Sequence, residues 1–271
     1  MEASSVQASV RRRRVHYFSG FDPRGAGYYH QLLREEGARP QPSGARVDTG
    51  PRVRLGAQLH AWPVRWSAPG SEQAVETEHL FMGWNDVIRA HWLRGPLALI
   101  GGFVRTYCAG AARLGLGKAR AFYPPALLTT LLPLLFFGGT ALLGLVVALL
   151  AAWALPHGFG WVAAVAGFAL ATGLWAAGAR ANLFWLVRIF NFIRVLGEAP
   201  LPPLTARSAE WLETIVLRQQ QDPVDEVLLV GHSVGAIVMV ETADALMRDA
   251  RWQAAQPGGA TGVVMLGQCI P

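Results

Sequence analysis

Polar and apolar positions are distributed very unevenly along this chain. Between Arg120 and Arg180 there is no Asp, Glu, Lys or Arg, and two apolar runs, ALLTTLLPLLFFGGTALLGLVVALLAAWAL and WVAAVAGFALATGLWAAGA, are separated only by PHGFG. Each run reaches the roughly 20 residues that a helix needs to cross a hydrocarbon core of about 30 Å. In lipid a helix is also the only single-segment solution for the backbone hydrogen bonds. The pattern therefore predicts a transmembrane hairpin with spans near residues 126–155 and 160–179. The alternative is a buried helical pair in a soluble core, but such helices seldom run this long without a charge. Pro133 marks either a kink or the interfacial end of the first span. Small residues recur at every fourth position, at Thr140, Gly144, Ala148 and Ala152 and again at Ala163, Gly167 and Ala171, the spacing that lets two helices approach closely.

On either side of these runs the periodicity changes to that of an α/β domain. VHYFSG (residues 15–20) is rich in β-branched and aromatic residues and predicts a strand, followed by the turn FDPRG. GAGYYHQLLREEGAR predicts a helix ending near Gly37. AQLHAWPVRW (57–66) predicts a second strand, with Pro63 favouring an edge or a bulge, and HLFMGWNDVIRAHWLRG (79–95) has helical period. Beyond the apolar runs, LTARSAEWLETIVLRQQQ predicts a helix capped by Thr205 or Ser208. DEVLLV (225–230) then predicts a buried strand, AIVMVETADALMRDARW a helix, and GVVMLGQ (262–268) another buried strand. Strand, helix and strand in that order imply a parallel crossover.

Composition and charge refine this picture. The 271 residues are 52% hydrophobic and 15% charged, against about a quarter charged in an ordinary soluble domain, and the mean hydropathy of +0.28 excludes a disordered chain. Two cysteines, Cys108 and Cys269, exclude a disulfide scaffold. The basic excess, 24 Lys+Arg against 18 Asp+Glu, is explained by where the basic residues sit. Arg113, Lys118 and Arg120 precede the first run and Arg180, Arg188 and Arg194 follow the second, so the positive-inside rule places both termini in the cytoplasm. The flanks LALIGGFVRTYCAGAARLGLGKARAFY and ANLFWLVRIFNFIRVLG mix Arg, aromatic and aliphatic residues like segments lying on an anionic leaflet. The expected partner is thus the lipid bilayer and not nucleic acid. Arg11 to Arg14 are expected to form a solvated or lipid-facing arm, with no apolar stretch after them to make a signal peptide.

The chemistry is carried by GHSVG, Gly231 to Gly235, placed without a spacer between a strand and a helix. G-x-S-x-G in that context is the signature of a nucleophile elbow: the corner is too tight for side chains at Gly231 and Gly235 and lifts Ser233 Oγ above the carboxyl end of the sheet. The Val234 amide, at the helix N-terminus, would be one oxyanion donor. Other constellations fail. GLGK at 115–118 lacks the remaining elements of a phosphate loop, GAG at 25–27 lacks the third glycine of a dinucleotide fingerprint, and the seven histidines show no metal-ligand spacing. No cofactor and no metal are expected.

On GHSVG, its strand and helix, and the loop FSGFDPRG, the chain resembles the α/β-hydrolase superfamily, in particular membrane-associated bacterial hydrolases, which implies a bacterial-type inner membrane with the catalytic face in the cytoplasm. The resemblance implies an incomplete parallel α/β-hydrolase-type sheet with an inserted two-helix transmembrane hairpin. Its parts would be a basic arm (1–14), a first sheet segment (15–95), the membrane-associated insertion (96–204) and a second sheet segment (205–271). It also implies Ser233 as nucleophile, a second oxyanion donor at Phe21 or Gly20 after the first strand, and a small-molecule ester as substrate; the membrane location alone points to a lipid or acyl ester. His232 beside the serine is a frequent elbow residue there and otherwise a packed structural histidine.

In such enzymes an acid and a histidine follow the serine. Here no histidine follows Ser233, and Glu241, Asp244 and Asp249 fall on the helix leading away from it. Three accounts stay open: a longer protein supplies the missing groups, His16 or His30 serves as base, or the domain binds without cleaving. The expectation is that these 271 residues alone are weakly active or inactive.

Overall fold

The computed structural model describes residues 10–70, 73–118, 124–156, 158–255 and 260–267, the side chains of 108–118 and 124–127 excepted. The chain divides into two compact units, one built from the segments up to His91 and from Pro200 onward, the other from Trp92–Ala199.

The first unit is α/β. Seven strands among the described residues form one mixed sheet: β1 (Arg12–Phe18), β2 (Arg46–Thr49), β3 (Val53–Arg54), β4 (Leu59–Ser67), β5 (Ala74–Met82), β6 (Glu226–His232) and β7 (Ala260–Leu266). The order is β2-β4-β5-β1-β6-β7, with β3 beside β4. Strands β5, β1, β6 and β7 run parallel, while β4 is antiparallel to β2, β3 and β5. The sheet is therefore mixed and not the parallel one expected. The cause is the β4–β5 hairpin, which the sequence pattern concealed because HLFM (79–82) continues β5 where a helix was predicted. Only Asn85–Ala90 (α2) is helical there. Pro63 lies inside β4, not at a sheet edge. Its carbonyl accepts the Gly50 N–H at 2.8 Å, and because N and C=O of a strand residue face the same side, its missing donor falls in the break between β2 and β3.

Helices α1 (Gly25–Gly37), α7 (Pro202–Gln221) and α8 (Val234–Arg248) accompany the sheet. Helix α7 starts with Leu201 at its N-cap and Pro202 at its first position, not at Thr205 or Ser208. Proline suits that position because the first N–H of a helix has no intrahelical partner. The Ser208 hydroxyl instead meets that of Thr242 on α8 at 2.8 Å. Phe18 of β1 packs edge-on against Trp211 of α7, ring centroids 5.0 Å apart.

Arg12, Arg13 and Arg14 are strand residues and not part of an arm. Arg14 is 1% exposed. Its guanidinium donates to Glu78 at 2.6 Å, to Gln219 Oε1 at 3.3 Å and to the Asp222 carbonyl at 3.0 Å. Arg218 also pairs with Glu78, Arg12 donates to both Asp222 carboxylate oxygens at 2.7 Å, and Arg13 pairs with Glu226. Removing one member of a buried charge network strands its partners. Arg14→Met is expected to cost about 3 kcal/mol in urea unfolding, and a loss below 0.5 kcal/mol would show that the network carries no stability.

Strand β7 does not have the buried character its apolar sequence suggests. Val263, Val264, Met265 and Leu266 are between 37% and 49% exposed, because β7 is an edge strand paired only with β6 among the described residues.

The second unit is helical: α3 (Pro96–Lys118), α4 (Pro124–Ala154), α5 (Gly160–Arg180) and α6 (Leu183–Glu198). Leu128–Ala154 and Gly160–Arg180 are long and apolar enough to cross a membrane, and only 6% and 17% of their apolar windows are buried within the molecule. Pro133 lies inside α4. The small-residue stripes meet: a methyl on Gly167 would stand 2.6 Å from the Gly144 carbonyl and 3.0 Å from Ala148 Cβ. Leu99, Phe184 and Val187 form a core bordered by Phe103, Phe136, Phe137 and Trp175.

Candidate functional site

Three parallel strands, β1, β5 and β6, deliver loops to one end of the sheet. Ser233 follows β6 directly and is the N-cap residue of α8, with φ 53° and ψ −124°. Among the described non-glycine residues only Asn182 and Ser233 have positive φ, and a serine held there costs on the order of 1–3 kcal/mol. The surroundings explain how it is held. The Ser233 N–H donates to the Leu266 carbonyl of β7 at 2.8 Å, and the Ala236 N–H to the Ser233 carbonyl at 3.0 Å.

Both elbow glycines are required sterically. A methyl on Gly231 would lie 2.5 Å from Ala236 Cα, and one on Gly235 2.3 Å from both the Phe18 and the Ser19 carbonyl oxygens. The helix thus starts pressed against the end of β1. Ser233 itself is partly exposed and the residue after it, Val234, is buried. Val234 opens α8, where the first amides have no intrahelical acceptor.

The loop after β1 closes the other side. Phe18 is the register partner of Gly231, so Gly20 falls opposite Ser233. A methyl on Gly20 would stand 3.4 Å from Ser233 Cβ and from His232 Nδ1. The Asp22 N–H donates to the Gly20 carbonyl at 2.7 Å, a three-residue turn with Phe21 at its apex. Phe21, 2% exposed, packs its ring 6.2 Å from that of Trp84.

Residues with no recognisable motif fix this turn. Trp84, after β5, donates its indole N–H to the Ser19 carbonyl, and Asn85 donates to the Asp22 carbonyl, both at 3.0 Å. The Asp22 carboxylate accepts from the Arg24 backbone N–H at 3.0 Å, the Arg24 guanidinium at 2.8 Å and the Tyr29 hydroxyl at 3.0 Å. Burial alone would raise the carboxyl's pKa, but the Arg24 and Tyr29 hydrogen bonds outweigh it and hold it below the usual range. Asp22, Arg24 and Tyr29 lie within eight residues of one another, whereas Trp84 and Asn85 reach the turn from more than 60 residues away and carry no local signal. Two buried polar atoms border the turn without a hydrogen-bond partner, Ser19 Oγ and His232 Nδ1.

No family model, curated protein or solved structure matches this chain. Helix α1 leads from β1 toward the β2 side of the sheet, whereas α8 leads from β6 to β7 on the other side. The gap between the carboxyl ends of β1 and β6 is thus a topological switch point, where open α/β sheets form their ligand crevices. Gly20 and Ser233 stand side by side at this point.

Neither His16 nor His30 is hydrogen-bonded to Ser233. His16 pairs in register with Leu229, four residues and about 13 Å upstream of Ser233 along the sheet, and is fully buried. His30 Nε2 lies 2.8 Å from the Gly50 carbonyl. Asp244 pairs with Arg248, and Asp249 with Arg251. Among the described residues no histidine or carboxylate is hydrogen-bonded to Ser233, and no cluster of three metal-ligating side chains occurs.

A cavity of about 390 Å³ lies at the opposite, amino-terminal ends of β1 and β5, lined by Arg12, Arg14, Trp62, Glu78 and Asp222 among others. Its arginines are already matched by Glu78 and Asp222.

Proposed function

We propose that this chain is a membrane-anchored serine hydrolase of the α/β-hydrolase type, its sheet unit interrupted by a transmembrane hairpin formed by α4 and α5. The observation that carries the reading is Ser233, a strained serine at a strand-to-helix corner beside a topological switch point of the sheet. In the proposed reaction Ser233 Oγ attacks an ester carbonyl. The Oγ proton passes to the departing alkoxide, which leaves as the alcohol as the acyl-serine forms, and water then releases the acid and restores the serine hydroxyl. The Val234 amide faces the developing oxyanion, and the turn of Gly20 and Phe21, packed against Ser233, is the place for a second donor. The charge-free turn of the hairpin and the arginines at its outer ends support cytoplasmic termini, with the serine on the same side. A bilayer-borne acyl ester is the substrate class that this placement favours.

The test is a fluorophosphonate probe applied to the full gene product in detergent. Modification of Ser233, lost in Ser233→Ala while folding is retained, is the expected result; a correctly folded wild-type protein without labelling overturns it. One observation favours a second reading, a hydrolase scaffold used for binding only: no base is hydrogen-bonded to Ser233 among the described residues. Absent labelling is what that reading predicts.

A further inference from the structure

The charge of this protein is segregated between its units. Residues 92–199 contain eight of the 24 basic residues and, in Glu198, one of the 18 acidic ones. The rest of the chain carries 16 basic and 17 acidic residues, a net charge of −1. The basic character of the protein thus belongs entirely to the helical unit. Within it the eight charges fall outside the two apolar spans or at the last residue of the second, and Glu198 is already paired with Arg194.

One of these cations is fixed in place. Arg188, partly buried on α6, donates its Nε to the Leu93 carbonyl at 3.0 Å. Its guanidinium carbon lies 4.8 Å from the centre of the Trp92 ring, and Trp185 meets that ring edge-on at 6.2 Å. Desolvation by burial lowers its pKa, yet among the described residues no carboxylate lies within ion-pair distance of it. Protein interiors seldom leave a desolvated cation without a counter-charge. With Nε committed and one face on an indole, the two terminal NH2 groups form a fork that cannot rotate away, the geometry suited to two oxygens of a phosphate. Arg188 stands eight residues beyond the end of the second span, where headgroups would lie.

We propose that Arg188, backed by Trp92 and the Leu93 carbonyl, is a binding site for the phosphate of an anionic lipid headgroup on the leaflet that faces the basic flanks. The inference rests on the membrane reading above and adds a lipid class to it. The phosphate could equally come from solution, so the test separates the two sources.

The experiment uses the full chain purified in a neutral detergent. Its thermal unfolding is followed while phosphatidylglycerol, phosphatidylcholine or inorganic phosphate is titrated in, for the wild type, Arg188→Gln and, as a charge-matched control, Arg105→Gln. The expected result is half-maximal stabilisation at about tenfold lower phosphatidylglycerol than phosphatidylcholine, a preference lost in Arg188→Gln and kept in Arg105→Gln. Equal response to the two lipids, or an unchanged preference in Arg188→Gln, overturns the site. Saturation by inorganic phosphate at the same concentration as by phosphatidylglycerol overturns the assignment to lipid. Extraction of the protein from native membranes by alkaline carbonate would overturn the membrane reading itself, whereas failure of the titration alone leaves that reading standing.

Discussion

Acidification from pH 6.5 to 4.5 is expected to remove about 2 kcal/mol of stability from the sheet unit, through His16 alone. His16 is fully buried in the middle of β1 with neither ring nitrogen hydrogen-bonded. Burial foremost, then the positive charges of Arg14 and Arg218 and the neighbouring His79, lower its pKa from 6.5 to about 3. A histidine depressed in the folded state binds its proton first in the unfolded chain. Stability is therefore complete above pH 6.5 and falls as the pH drops toward 3, by about 1.4 kcal/mol per unit for one proton. His79, stacked on Trp62 and lowered to about 4 by burial, steepens the same slope. The carboxylates with lowered pKa, Asp22 and Asp222 among them, lose their contribution only below about pH 4, so the upper window isolates the histidines. Urea unfolding followed by tryptophan fluorescence at half-unit pH intervals measures this. His16→Leu should flatten the slope between pH 6.5 and 4.5, and a wild-type protein equally stable at both pH values would rule out a buried neutral His16.

Gly235→Ala is expected to be the most damaging methyl that can be added to the elbow. The new carbon would stand 2.3 Å from two backbone carbonyl oxygens, those of Phe18 and Ser19, and 2.7 Å from the Ser19 carbonyl carbon. Neither oxygen can swing aside as a side-chain tip would, because β1 is paired on both sides and the Ser19 carbonyl already accepts from Trp84. Overpacking a core costs about 1–3 kcal/mol when side chains yield, and here backbone must move. The expected loss is about 3 kcal/mol or more, together with loss of probe reactivity at Ser233, since α8 would be pushed off the end of β1. Gly197→Ala is the control: that glycine lies in α6 with nothing within 4 Å of the added carbon, so helix propensity should make the change neutral or stabilising by up to about 1 kcal/mol. Urea midpoints of both variants decide it. A Gly235→Ala protein with wild-type stability would mean that α8 does not abut β1.

What the sequence determined by itself is local and contiguous. The charge-free stretch from 121 to 179 delivers two long helices because hydropathy needs no partner to be legible. GHSVG delivers the corner because strand, glycine, serine and helix are all written within one short segment, and the conformation of Ser233 follows from steric demands on its immediate neighbours. Tertiary structure decided whatever depends on register between distant segments. The parallel run of β5, β1 and β6 inside a mixed sheet could not be read, because apolar HLFM fits a helix or a strand equally until β4 pairs with it in antiparallel. Arg14 looks like surface charge until Glu78 and Gln219, 64 and 205 residues away, surround it. The juxtaposition of Gly20 and Ser233 belongs to the same class. Gly20 and Ser233 are far apart in the chain and become neighbours only because β1 and β6 pair in one register, a choice set by burial of one sheet face and not by either segment alone.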